Sequence, residues 1–301
     1  MLLCFQYYIY PINTNSQFII FLTGIALLGV PHGAADLLVA SRTADAGKKA
    51  FSKHRFLSIY IGRLFLFAAI FWFFPVAANL LFIFFAAYHF GETDLNKFKT
   101  DTPLGKIFVI TYGLVILSVM LLHHFDEVKP FFELFESGRE NAVLIDWIGL
   151  NRYAIMTVAS ILFFVTTFAY FLKNSNTDLN EKGLFLIRFA AILFILYNLP
   201  MLLGFTFYFV VWHSLLSLNN IVLYLRNENT YSLHTIAKQI LLYSVLAILG
   251  IGMFGLTGFM FTSNNAIAGY IFLGLAVLTA PHMQIMHDMY NSLRLRKSAL
   301  T

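Results

Sequence analysis

The sequence predicts an all-α fold, a polytopic bundle of about eight or nine transmembrane helices. One observation is composition: 59% of the 301 residues are hydrophobic and only 12% are charged, whereas soluble domains carry about 25% charged residues. The other is that predominantly apolar runs of roughly 17–25 residues, long enough to cross a bilayer, recur along the whole chain. We therefore expect a single integral membrane domain over residues 1–301.

Nine apolar segments are the expected spans. They cover residues 17–40, 56–74, 76–95, 105–123, 153–172, 184–200, 202–225, 238–258 and 266–288. The segment 184–200 is the shortest, and Pro200 separates it from the next one, so these two could form a hairpin with a tight turn. In the long connection 124–152, the run PFFELF at residues 130–135 indicates either a short amphipathic helix on the outer surface or a loop packed over the bundle.

The connections between these segments are alternately basic and neutral or acidic. The first holds Arg42, Lys48, Lys49, Lys53 and Arg55, the fourth is mostly acidic, and the tail contains RLRK at residues 294–297. By the positive-inside rule, the N-terminus is expected outside and the C-terminus in the cytoplasm, in the cell (inner) membrane. The formal net charge of +5 therefore indicates contact with membrane lipid and requires no nucleic-acid partner.

Histidines occur inside several apolar segments, where ionisable side chains are expensive and usually functional. Four of them are expected at a similar depth in the membrane: His32, His89, His213 and His282. Each lies about 11–16 residues from the outer end of its segment, and an α-helix rises 1.5 Å per residue. Imidazole binds iron, zinc, copper and nickel, so a metal site inside the bundle is one interpretation. A proton or ion pathway and separate hydrogen bonds between helices are the alternatives. We expect His54, His123, His124 and His234 to be solvated or interfacial.

Carboxylates accompany two of these histidines. Asp36 follows His32 by four residues and Glu92 follows His89 by three, so each pair shares a helix face, whereas Asp94 points away from His89. A metal-bound histidine usually donates its other N–H to a carboxylate or carbonyl. We therefore predict that Asp36 accepts a hydrogen bond from a ligating imidazole, with Glu92 as a weaker candidate for the same role.

Four short segments together resemble one family. They are residues 31–36 (PHGAAD), 88–94 (YHFGETD), 212–214 (WHS) and 280–282 (APH). In order and spacing they look like the Brp/Blh family of bacterial and archaeal membrane proteins, a similarity that runs from about residue 18 to 290. The resemblance implies central cleavage of β-carotene, or a related carotenoid, with O2 to give retinal. It also implies a non-haem Fe(II) cofactor and an opsin-like retinal consumer.

The same resemblance implies which residues hold the iron. The HG, HFG and HS histidines carry over to His32, His89 and His213, but Ser217 stands where the family has a further histidine. His282 or water is expected to take that position. The residues expected beside the ligands are Asp36, Glu92, Asp94 and Ser217. The competing functions are a metal or proton transporter that uses the same histidines and a non-catalytic membrane protein of the same fold.

Overall fold

The regular structure is helical throughout the residues that the computed structural model describes, namely 11–47, 50–133, 139–175, 178–226, 231–255 and 264–300. The helices are α1 Thr14–Gly24, α2 Val30–Ala34, α3 Asp36–Ala46, α4 Lys53–Phe73, α5 Pro75–Asp94, α6 Pro103–Ser118, α7 Phe125–Glu133, α8 Arg139–Lys173, α9 Leu179–Asn198, α10 Met201–Phe205, α11 Ser214–Arg226, α12 Leu233–Gly255 and α13 Asn264–Leu300. Three π-helical stretches, Ile25–Gly29, Val119–His123 and Thr206–His213, join neighbouring α-helices. The predicted all-α fold is confirmed.

Eight helical stretches of the described chain are long and apolar enough to cross a membrane. They are Thr14–Ala46, Lys53–Phe73, Pro75–Asp94, Pro103–His123, Ala142–Lys173, Met201–Arg226, Leu233–Met253 and Gly269–Arg294. Each overlaps one of the apolar segments predicted from sequence. The protein is therefore a multi-pass helical membrane protein.

The remaining predicted span, residues 184–200, corresponds to α9, which is helical but, unlike the other eight, has no 18-residue stretch with fewer than three charged residues. Any stretch of 18 residues within α9 includes Glu181, Lys182 and Arg188. One face of α9 is buried, at Phe185, Phe189, Ile192 and Leu196. Since these positions recur every three or four residues, α9 packs along a continuous apolar stripe.

The connection 124–152 is more helical than predicted. Helix α7 covers the first part of the expected amphipathic stretch, while Leu134 and Phe135 lie outside the described residues. Helix α8 begins well before residue 153, and ion pairs join it to α7: Lys129 with Asp146 at 3.1 Å and Arg152 with Asp126 at 3.2 Å. Residues 1–10, 48–49 and 256–263, with the side chains of 295–297, also lie outside the described part.

The chain divides into two compact units. Unit 1 comprises residues up to Gly24 together with Ala86–Trp212, and unit 2 comprises Ile25–Phe85 together with residues from His213 onward. The core of unit 1 is aromatic: the ring centroids lie 4.7 Å apart for Phe108 and Tyr170 and 4.4 Å apart for Phe163 and Phe189.

The core of unit 2 is mainly aliphatic, with buried side chains from α3, α11, α12 and α13. Its members include Leu38, Val39, Ile221, Leu225, Ile236, Met286 and Met289. Around this core the Thr43 hydroxyl lies 3.0 Å from the Tyr224 hydroxyl, a hydrogen bond between α3 and α11. Apolar contact and this bond fix the register of α3, the helix that begins at Asp36.

Helices α5 and α6 approach each other closely within unit 1. A Cβ atom added at Gly91 would overlap the backbone carbonyl of Val109, and one added at Gly113 would overlap that of Ala87. Small residues at such crossings allow helix backbones to touch. The crossing holds the part of α5 that carries His89 and Glu92.

We expect Gly113→Ala to destabilise the protein, because the added methyl group must push α5 and α6 apart. Overpacking of this kind costs about 1–3 kcal/mol, which would lower the thermal midpoint of detergent-purified protein. Gly62→Ala in α4 is the control, since a Cβ there has no neighbour within 4 Å. Equal midpoints for both variants would contradict a tight crossing.

A hydrogen-bonded clasp in unit 1 joins the start of α7 to the turn between α9 and α10. His124 lies with Nδ1 3.2 Å from Glu127 Oε1 and Nε2 2.9 Å from the carbonyl oxygen of Leu196. The other oxygen of Glu127 accepts the backbone N–H of Met201 at 3.0 Å. Both imidazole nitrogens face acceptors, so the protonated ring can donate to both partners.

The clasp should make stability depend on pH on both sides of a plateau. Burial lowers the pKa of His124, but its hydrogen bonds to Glu127 and Leu196 outweigh burial and raise it above 6.5. Burial raises the pKa of Glu127, but His124 and the Met201 N–H outweigh burial and lower it below 4.5. The His124 contribution is complete below pH 6.5 and disappears as pH rises through the raised pKa. The Glu127 contribution is complete above pH 4.5 and disappears as pH falls through the lowered pKa.

Thermal midpoints measured between pH 4 and pH 9 should therefore be highest between these limits. Glu127→Gln keeps an acceptor for the Met201 N–H but removes the carboxylate, so its profile should be flatter. A Gln variant with the same pH profile as the original chain would show that the clasp does not control stability.

Candidate metal centre

Irregular backbone precedes two of the predicted site histidines. The π-helical stretch Ile25–Gly29 comes just before Pro31, the second residue of α2, and His32 follows it. Proline has no N–H to donate and its ring clashes with the carbonyl four residues earlier, so a widened turn accommodates it. His213 ends a second π-helical stretch, Thr206–His213. Such π-helical insertions are frequent at functional sites.

Three of the predicted histidines come together in unit 2. His32, His213 and His282 are 4%, 0% and 6% exposed. The His32 ring centroid lies 5.6 Å from that of His213 and 5.0 Å from that of His282, and in each pair the planes are nearly perpendicular. Helices α2 and α13 and the π-helical stretch ending at His213 therefore bring three buried imidazoles into one cluster.

The predicted contact between Asp36 and an imidazole is present, and its partner is His282. Nδ1 of His282 lies 2.7 Å from Asp36 Oδ1, and the hydroxyl of Tyr60 donates to Asp36 Oδ2 at 2.9 Å. Both carboxylate oxygens are thus hydrogen-bonded, as burial of a charged group requires. Sequence reasoning did not identify Tyr60, which lies within an apolar run of α4 and offered no spacing signal.

Two serines of α11 follow His213 closely in sequence, and one of them contacts the imidazole cluster. The hydroxyl of Ser214 lies 3.2 Å from Nδ1 of His32, a contact that sequence reasoning also missed. Ser217 is fully buried and follows His213 by four residues. Its hydroxyl has no hydrogen-bond partner among the residues that the structure describes.

His89 and Glu92 belong to unit 1, where both side chains are almost completely buried in α5. The hydroxyl of Tyr88 donates to Glu92 Oε1 at 3.3 Å, and the ring of Phe90 lies 6.2 Å from that of His89. The predicted helix thus carries both residues into a protein interior, which agrees with the expense of placing ionisable groups against lipid.

Asp94 has a separate set of partners within unit 1. Its Oδ2 accepts hydrogen bonds from the hydroxyl of Tyr112 at 2.7 Å, the hydroxyl of Tyr208 at 3.1 Å and the indole N–H of Trp212 at 3.2 Å. Two of these donors belong to the π-helical stretch that ends at His213. Asp94 thus bonds neutral donors, a triple contact that no sequence pattern predicted.

The chemistry of the imidazole cluster suits a first-row transition metal. Imidazole is a common ligand for iron, zinc, copper and nickel. Rings whose nitrogens lie about 2.1 Å from one ion have centroids roughly 4.5–6 Å apart, depending on the bond angle. The separations of 5.0 Å and 5.6 Å around His32 fall in that range. Among the other histidines, His54 and His234 are exposed, and His287 bonds Asn291 at 2.9 Å.

The sequence is similar to that of a known protein family. Residues 23–290 match the family model described as beta-carotene 15,15'-dioxygenase. A protein named beta-carotene 15,15'-dioxygenase, from uncultured marine bacterium 66A03, is 23% identical over 266 residues, which cover 88% of this chain and 91% of the relative. No solved structure matches the chain. Since the matched region covers most of the sequence, this chain belongs to the beta-carotene 15,15'-dioxygenase family.

Proposed function

We propose that this protein is a membrane-embedded, Fe(II)-dependent dioxygenase that cleaves β-carotene, or a related carotenoid, at its central double bond to give retinal. The observation that carries the proposal is the buried cluster of His32, His213 and His282, with Asp36 hydrogen-bonded behind it. Family membership and the name of the 23% identical relative support the substrate and the reaction.

In this proposal His32 and His213 are iron ligands. The HFG motif supports His89 as a further ligand. The Ser214 hydroxyl next to Nδ1 of His32 orients that ring, as partners behind metal ligands commonly do. Glu92 and Asp94 keep the supporting role that the sequence motifs suggest, and within unit 1 Asp94 accepts hydrogen bonds from Tyr208 and Trp212.

An Fe(II) ion held by imidazoles supplies the redox chemistry that O2 needs to react with a polyene. The reaction breaks one C=C bond and places one oxygen atom on each carbon. Because both atoms of O2 end in the two aldehydes, no external reductant is needed. The chain contributes neutral ligands in a buried environment, and burial excludes the water that would compete with an apolar substrate.

The substrate and the product both dissolve in the bilayer, which makes membrane lipid the route of entry and exit. A carotenoid can reach the protein laterally through lipid, and retinal can leave the same way. An opsin-like protein of the same membrane is the proposed consumer. The proposed location is the cell (inner) membrane.

Cells that accumulate β-carotene should lose colour and gain retinal when they express this chain. His213→Ala should reduce retinal at least 100-fold, because the variant removes a fully buried imidazole of the cluster, while membrane-inserted protein stays constant. The control is His234→Ala, since His234 is exposed on α12. Retinal is quantified by chromatography and normalised to protein in the membrane fraction. Absence of retinal with the original chain at normal expression would refute the proposed reaction.

We propose that α9 crosses the membrane, so that nine crossings place the N-terminus outside and the C-terminus in the cytoplasm. The charges Glu181, Lys182 and Arg188 lie in the first half of α9, which leaves an apolar second half. With α9 crossing, the connection that holds Arg226 and Lys238 is cytoplasmic like the basic tail, as the positive-inside rule requires.

Reporter fusions test this topology. An alkaline phosphatase fused within the connection 134–138 should be active, and one fused to the C-terminus should be inactive, with green fluorescent protein giving the opposite pattern. Five crossings separate the two sites if α9 spans the bilayer and four if it does not. The same location for both fusions would contradict a crossing by α9.

A further inference from the structure

We infer that His282 is a metal ligand of this protein, contributed by α13 and held in place by Asp36 and Tyr60. The inference rests on the proposed function, since it concerns the same metal centre. In unit 2 the proposed metal ligands are therefore His32, His213 and His282, which come from three separate parts of the chain.

His282 lies close to His32 in the interior of unit 2. Its ring lies nearer to His32 than the ring of His213 does, with centroids 5.0 Å apart, and it is buried to a similar degree. The other histidine of α13, His287, lies five residues further along and bonds Asn291 one turn later on the same helix. Five residues correspond to roughly 500° of rotation, so these two histidines point in different directions.

The hydrogen bond to Asp36 determines which nitrogen of the His282 ring carries the proton. Nδ1 of His282 faces a carboxylate oxygen of Asp36 at 2.7 Å, and a carboxylate only accepts hydrogen bonds. Nδ1 therefore carries the proton, which makes Nε2 the nitrogen with a lone pair in the neutral ring. A carboxylate behind a histidine that binds metal through its other nitrogen is a recurrent arrangement in metal sites.

A second hydrogen bond holds Asp36 itself in place. Tyr60 on α4 donates to the second oxygen of Asp36 at 2.9 Å. The carboxylate is thus held between α4 and α13 and cannot rotate without losing one of two hydrogen bonds in a buried environment. Such fixation orients the His282 ring, which a purely space-filling histidine would not require.

The residue one helical turn after His213 is a serine, Ser217. Ser217 is fully buried on α11, at a helical position that shares a face with His213. A hydroxyl is a poor ligand for Fe(II) beside imidazoles. Within unit 2, α11 beyond His213 therefore supplies no imidazole at this position, whereas α13 supplies the buried imidazole of His282 beside His32.

Cobalt binding tests the assignment without reference to catalysis. The full-length chain is purified in detergent and titrated anaerobically with Co²⁺, whose visible absorption reports the number and type of its ligands. His282→Ala should weaken Co²⁺ binding at least 100-fold and change the visible spectrum, as His213→Ala should. Asp36→Asn should weaken binding by roughly 10- to 100-fold, and Tyr60→Phe by less, because it removes a partner one step further away.

His287→Ala is the matched control, since it removes a histidine from the same helix outside the cluster. It should leave both affinity and spectrum unchanged. His282→Gln accompanies the alanine variant and keeps a polar side chain of similar length if alanine prevents folding. The glutamine variant should also lose tight Co²⁺ binding, because a neutral amide is a weaker ligand than imidazole.

The outcomes separate this inference from the proposed function. Unchanged Co²⁺ affinity and spectrum in the His282 variants, with binding lost in His213→Ala, would overturn the assignment of His282 and leave the dioxygenase proposal intact. Failure of the original chain to bind Co²⁺ or Fe²⁺ would overturn both. Loss of binding in the His282 variants but not in His287→Ala supports the assignment.

Discussion

The buried carboxylate of Asp36 is the constraint on which unit 2 depends. An ionised side chain inside an apolar helix bundle costs several kcal/mol, on the order of 3 at a helix centre, unless partners replace its water. Asp36 has two such partners, Tyr60 on α4 and His282 on α13. Because each partner sits on a different helix, satisfying one carboxylate ties three helices together and fixes the direction in which one imidazole points.

Backbone irregularity places the imidazoles that packing alone would not align. A regular α-helix through Pro31 would bring the proline ring against a carbonyl of the preceding turn, and the π-helical stretch Ile25–Gly29 removes this conflict just before His32. The stretch Thr206–His213 shifts the register before His213 in the same way. Such stretches are less favourable than α-helix, and they persist where the surroundings hold them.

The carboxylates of Asp36 and Asp94 have different kinds of hydrogen-bond partner. Asp36 bonds one imidazole and one phenol, so its charge reaches a ring that can bind metal. Asp94 in unit 1 accepts hydrogen bonds from neutral donors, two tyrosines and a tryptophan. Within unit 1, these three donors on one oxygen join α5, α6 and the stretch that ends at His213.

Hydropathy predicted the all-α fold and nine apolar segments, and eight of these are helices long and apolar enough to cross a membrane. The positions of His32, His89, His213 and His282 in apolar segments predicted their burial. Hydropathy and the expense of intramembrane charge are local properties, so they can be read from adjacent residues. The predicted hydrogen bond between Asp36 and an imidazole is also present. The packing of the helices selects His282, 246 residues away, as the partner of Asp36. It also brings Tyr60 to Asp36 and joins Asp94 to Tyr112, Tyr208 and Trp212. Those choices depend on which helices become neighbours, and hydrophobic periodicity leaves that open because many apolar faces can pack against one another.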